Sequence, residues 1–158
     1  MLLAIDPGTT QSAYIVYGTA FEKKDAVLKK GIVENGEMLE MLRDGLLNHD
    51  AFMRNLYIEM VASYGMAVGQ SVFETCVWTG RFIEAWGGPF EYVYRKDVKI
   101  HLCGHTRAKD SNIRQAIMDR YGSERGIAIG TKKAPGPLYG VSKDMWAALG
   151  VAITAAET

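Results

Sequence analysis

Three short stretches suited to β-strands precede any helical pattern in this chain, and that order restricts the fold more than any other feature. Met1–Ile5 is apolar and stops at Asp6, ahead of the turn pair Pro7-Gly8. Ala13–Tyr17 (AYIVY) is rich in β-branched and aromatic residues and makes a hairpin with the first run; Val27–Val33 supplies a third strand. The period then changes. Met38, Leu39, Met41, Leu42, Leu46 and Leu47 recur at helical spacing over Glu37–Leu47. Leu56–Ile58 is a short apolar strand that ends at Glu59. Val68–Trp86 is a long helical pattern closed by Gly87-Gly88-Pro89, and Phe90–Tyr94 alternates as a strand. Asp110–Tyr121 reads as a helix with Ile113, Ile117 and Met118 inward and Arg114 and Arg120 outward. The glycine- and proline-rich stretch 122–140 reads as an ordered loop or a mobile flap, and Ser142 as the N-cap of a helix over Lys143–Ala156.

A β-meander followed by alternating helices and strands implies a mixed sheet covered on both faces, an α/β layout. The 158 residues fit one domain with a real core. No apolar run approaches the roughly 18 to 20 residues that span a bilayer. No basic region precedes the first apolar run, the reverse of a secretory leader, so a cytoplasmic protein is expected. Cys76 and Cys103 form no C-x-x-C pair and read as reduced, buried thiols.

Lys/Arg and Asp/Glu balance at 18 each, which at first argues against an anionic partner. Their distribution argues for one. Residues 95–133 hold ten Lys/Arg against four acids, a local balance of +6 that the rest of the chain offsets. A basic face attracts phosphates whatever the total charge.

Three acids stand where folding does not demand acids. Asp6 ends the first strand, Glu59 ends the fourth, and Asp144 lies in the first turn of the helix over Lys143–Ala156. Sites in open α/β sheets form beyond the carboxyl ends of strands. If strands one and four are neighbours, Asp6 and Glu59 are close, and confined carboxylates repel unless a cation neutralises them. Oxygen-only clusters suit Mg²⁺ or Mn²⁺, and paired ions support phosphodiester hydrolysis. Each acid also has a plainer reading: a turn-shaping Asp6, a solvent-facing Glu59, and a dipole-favoured Asp144. The histidines are scattered at 49, 101 and 105, and only His101 and His105 flank the basic segment, within reach of phosphate.

The motifs, taken in order, resemble the RuvC-type Holliday-junction resolvases of the RNase H-like superfamily. Leu3–Thr10 (LAIDPGTT) is similar to their first motif, and Tyr57–Met60 (YIEM) to the second. Val98-Lys99, followed by Gly104 and Lys109–Ile113 (KDSNI), resembles their basic third segment and the start of the next helix, and the alanine-rich run from Asp144 resembles their acid-bearing terminal helix. The long helix after YIEM and the phrase GPLYGVSKD resemble the phage-encoded members more than the bacterial enzyme.

The resemblance implies an RNase H-like fold with a five-stranded mixed sheet. It also implies a Mg²⁺- or Mn²⁺-dependent endonuclease, with two ions held by Asp6, Glu59 and Asp144. One departure stands out. Bacterial family members usually place two metal-binding side chains three residues apart on the terminal helix, and here Ala147 occupies the second place. Asp110 or a scissile phosphate would then complete the set. Lys99, Arg107, Lys109, Arg114 and the pair Lys132-Lys133 are the candidate phosphate contacts, and Tyr64 is placed to stack on an unpaired base. Four-way junctions and other branched DNA are the implied substrates. Two symmetric nicks suit a homodimer, and the helix 68–86 offers Phe73, Val77, Trp78, Phe82 and Trp86, with Gly69 and Gly80 allowing close approach. Two other readings stay open. A non-catalytic DNA-binding adaptor would explain Ala147. A phosphotransferase is suggested by D-x-G-T-T, which resembles the first phosphate loop of sugar kinases and actin-like ATPases, but those need a second domain and a second such loop.

Overall fold

The computed structural model describes residues 1–20, 22–45, 47, 55–122 and 125–158; Leu46 and His49 lie outside the described residues. Strands β1 (Leu2–Asp6), β2 (Gln11–Tyr17) and β3 (Val27–Glu34) form an antiparallel meander, and helix α1 (Asn35–Arg43) follows directly. Strand β4 (Asn55–Met60) then pairs parallel to β1, and β5 (Phe90–Tyr94) parallel to β4, giving the order β3-β2-β1-β4-β5. Helix α2 (Gln70–Trp86) joins β4 to β5, and α3 (Arg95–Cys103), α4 (Asp110–Arg120), the short α5 (Arg125–Ala128) and α6 (Met145–Glu157) complete the chain.

Period-two alternation divides β1 between two cores. Leu3 and Ile5 pack with Met38, Leu42, Leu56, Ile58, Phe82 and Trp86 beneath α1 and α2. Leu2 and Ala4 pack on the opposite face with Val98, Ile113, Ile117 and α6. That face is filled by α6, where every residue from Trp146 to Thr154 except Ala147 is buried. A helix apolar on nearly all sides belongs in an interior. Gly150 lets it approach α3: a Cβ there would lie 3.0 Å from Val98 Cγ1.

Several expectations are corrected. The strand at Leu56–Ile58 extends to Met60, so Glu59 lies within β4. Helix α1 stops at Arg43, because Asp44 caps it and Gly45 turns at φ 70. Arg95–Cys103, read only as a basic segment, is helical, with Val98 and Leu102 as its buried stripe. Ser142 is not the N-cap of α6. The backbone turns at Lys143 (φ 47), and the helix begins after Asp144. Within the expected loop or flap, residues 125–140 begin with the short α5 and are anchored to the core: Ala128 and Leu138 are fully buried, and the Leu138 amide donates to the Ala128 carbonyl at 2.8 Å. Cys76 and Cys103 are free and only half-buried.

Candidate active site

The register that pairs Ile5 with Ile58 sets Asp6 beside Glu59 one residue further on, on the sheet face covered by α6. The loop after Asp6 is braced without it. The Gly8 amide donates to Ser12 Oγ (3.1 Å), Ser12 donates to Asn35 Oδ1 (2.6 Å), and Asn35 Nδ2 donates to the Gly8 carbonyl (3.0 Å). A Cβ at Gly8 would lie 2.3 Å from the Gln11 carbonyl oxygen, so this tight loop requires glycine. The turn therefore does not depend on the Asp6 carboxyl.

Asp144 is the N-cap residue of α6, yet its side chain makes no capping hydrogen bond. Glu59 does not face solvent: its side chain is 16% exposed, and Oε2 is buried without a hydrogen-bond partner. Among the described residues, these three acids together with Asp110 line one cleft of about 240 Å³, whose walls also include Arg95, Ile113, Lys143, Trp146 and Ala147. The solvent-facing reading of Glu59 thus fails on geometry, whereas Asp144 at the head of α6 remains compatible with a dipole-favoured acid.

Burial, and then the charges of Glu59 and Asp144, push Asp6 up from 3.8 to about 8. Burial likewise raises Glu59, against the opposing pull of Arg95. The Arg95 guanidinium is the principal positive charge in the cleft: Nη1 lies 3.8 Å from Glu59 Oε2, and Nη2 bonds Asp110 Oδ1. Arg95 Nη1 is itself buried without a hydrogen-bond partner. A buried carboxylate oxygen without a hydrogen bond, among other acids, is a group that a bound cation would satisfy. The donors are all oxygens, which fits Mg²⁺ or Mn²⁺, although among the described residues no three ligating side chains converge on one point.

The candidate DNA contacts separate into groups. Tyr64 and Lys99 line a second cleft of about 420 Å³ with Arg95, Lys96 and Thr106. Tyr64 is 61% exposed and sits at φ 47. The Arg114 guanidinium lies over the Trp146 ring at 4.7 Å, at the margin of the carboxylate cleft. Lys109 precedes Asp110, and its amide donates to Asn112 Oδ1, starting α4. Arg107, Lys132 and Lys133 are exposed but line neither cleft. His101 does not face these clefts; its Nε2 pairs with Glu157 at 2.7 Å. Sequence reasoning does not single out Arg95, Lys96 or Lys143 as site residues. Arg95-Lys96 directly follow a strand end, the one signal available for them.

No protein-family model and no curated protein sequence matches this chain. Solved structures do. The Thermus thermophilus RuvC structure superposes with a TM-score of 0.67 at 20% identity, covering 97% of this chain and 91% of that one. T. thermophilus RuvC in complex with a Holliday junction substrate gives 0.68 at 18% identity, with 97% and 90% covered. The chain has the RuvC fold. That RNase H-like fold, a mixed five-stranded sheet with helices on both faces, agrees with the expectation from motif order. Within the RuvC fold, the described residues contain no helix long and apolar enough to cross a membrane.

Proposed function

We propose that this chain is a divalent-metal-dependent endonuclease that resolves Holliday junctions and cleaves other branched DNA, residues 1–158 acting as one nuclease domain. The carrying observation is the single cleft lined by Asp6, Glu59 and Asp144, with a buried Glu59 oxygen that no hydrogen bond satisfies. The RuvC fold supports the same reading, and one such structure is described in complex with a Holliday junction substrate. Asp6, Glu59 and Asp144 would hold two Mg²⁺ or Mn²⁺ ions, with Asp110 on the same wall supplying the carboxylate that Ala147 lacks. Ions bound there would supply an activated water and charge stabilisation for the leaving oxygen. The chain's own residues do the rest. Burial at the base of the cleft keeps the Asp6 and Glu59 carboxylates in a low-dielectric setting, Asp144 and Asp110 lie exposed, and Trp146 closes one wall.

Lys99, Arg107, Lys109, Arg114, Lys132 and Lys133 supply phosphate contacts, and Tyr64 stacks on an unpaired base beside Lys99. We assign a homodimer through α2, acting in the cytoplasm, the host's where the gene is phage-borne. The interface is narrower than the sequence suggests, since Phe82 and Trp86 are buried in the chain's own core and Trp78 packs on Phe82. Phe73 and Val77 remain, 60% and 61% exposed, with the open Gly80 beside them. One observation favours the adaptor reading instead: Ala147 faces the carboxylate cleft where a ligand is expected. A gel assay on synthetic four-way junctions with Mn²⁺ decides between them. Cleavage supports the nuclease; binding with intact DNA supports the adaptor.

A further inference from the structure

Arg95 is a wall of both clefts. On one side its guanidinium faces Glu59 and Asp110; on the other it lines the cleft of Tyr64, Lys96 and Lys99. Its contacts on the acidic side are unequal. Asp110, with its side chain 85% exposed, holds Nη2, while Nη1 and Glu59 Oε2 stand 3.8 Å apart, both buried and neither hydrogen-bonded. An ion pair that leaves both partners short of hydrogen bonds does not offset the cost of burying them. Arg95 is therefore held loosely against Glu59, in a cleft whose acids need positive charge.

We infer that Arg95 is a built-in stand-in cation, which competes with a divalent ion for Glu59 and Asp110 and is drawn away when a DNA strand enters the neighbouring basic cleft. This rests on the metal-dependent reading above and adds a regulation to it. The guanidinium is planar and presents several donors, so a phosphate gives it a better-matched partner than Glu59 does. With Arg95 turned to a phosphate, the repulsion among Asp6, Glu59 and Asp144 is less relieved from within, Lys143 being the cation left on the cleft wall, and the cleft takes up an ion more readily. Linkage makes the effect reciprocal: DNA tightens the ion, and the ion tightens DNA. Without a strand the protein holds its metal poorly.

The test is calorimetric titration of Ca²⁺, chosen because it should bind without efficient turnover, into wild type and Arg95→Gln. Each is measured alone and saturated with a synthetic four-way junction. Without DNA, Arg95→Gln should bind Ca²⁺ about tenfold more tightly than wild type, within the usual range of coupling between sites. The junction should tighten Ca²⁺ in wild type by a similar factor and in Arg95→Gln by far less. Equal or weaker Ca²⁺ binding by DNA-free Arg95→Gln, with Ca²⁺ still bound by junction-saturated wild type, would overturn this inference alone. Absence of Ca²⁺ binding in every sample would overturn the metal-dependent reading together with it. Should Arg95→Gln not fold, the arginine side-chain NMR signals of wild type carry the test. The Arg95 signal should shift as Ca²⁺ is added, and an unmoved signal at saturation would overturn the inference.

Discussion

Replacing Asp6 by Asn should stabilise the metal-free protein at alkaline pH while abolishing cleavage. Asp6 lies high, at about 8 rather than 3.8, chiefly through burial and then through Glu59 and Asp144. A carboxyl raised on folding holds its proton more tightly in the folded chain. Its contribution to stability is therefore complete below about pH 4 and is lost as pH rises through about 8. At about 1.4 kcal/mol per pKa unit, a shift of about four units sets a ceiling of roughly 6 kcal/mol. Coupling with Glu59 and partial access of water reduce the expected gain for Asp6→Asn to about 2 kcal/mol at about pH 8.5. For a chain of this size that is a rise in Tm of about 4 to 8 °C. Thermal unfolding in EDTA at about pH 4.5 and about pH 8.5 measures it: the two proteins should melt close together in acid and apart in alkali. Added Mg²⁺ should then raise wild type and leave Asp6→Asn nearly unchanged. A metal-free Asp6→Asn that melts at or below wild type in alkali would refute the electrostatic reading of this cleft.

Glu59→Gln and Asp144→Asn should each remove cleavage of a labelled junction while leaving junction affinity within about threefold, since neither acid contacts phosphate as a donor; near-normal rates would exclude that residue from the site. Tyr64→Ala should weaken junction binding by about 1–3 kcal/mol, read by fluorescence anisotropy, if the ring stacks on one base. Lys132→Ala with Lys133→Ala should lower the slope of log affinity against log salt by about one for every phosphate these lysines neutralise; an unchanged slope would separate that loop from the DNA. Phe73→Glu with Val77→Glu should give folded monomers by light scattering, and a pair that stays dimeric would move the interface away from α2. Trp78→Glu is the poorer test, because Trp78 packs on Phe82 and lies beneath Arg81.

Where sequence periodicity and burial agree, the elements are legible in the sequence. The meander, α2 and α4 follow apolar patterns that the two cores draw on, whereas β5 contributes only Val93 and leaves Phe90, Tyr92 and Tyr94 exposed. Helix α3 is hidden because Val98 and Leu102 are its only buried residues, set among basic and polar neighbours that read equally well as a phosphate-binding segment. Asp6, Glu59 and Asp144 stand out because each lies at or beside the end of an element. Arg95 does not, since its meaning depends on Glu59 in the adjacent strand and on Asp110 across a helix-to-helix turn. Neither neighbour is recoverable from local spacing. The start of α6 is obscured for a similar reason: a left-handed Lys143 is a rare choice for a side chain that bears a Cβ.

The acids of the cleft lie far apart in sequence, and α6, which carries Asp144 at its head, is also packed against β1 and β2 at the centre of the sheet. Synthesis supplies Asp6 well before Asp144. A ribosome-bound or prematurely terminated chain can form the β-meander, a local structure, but lacks both the helix that covers one face of the sheet and the carboxylate at its start. Incomplete chains therefore carry an exposed apolar sheet that marks them for degradation and have no assembled cutting site. For a protein whose proposed activity breaks DNA, competence to act arrives in the same step as a closed interior.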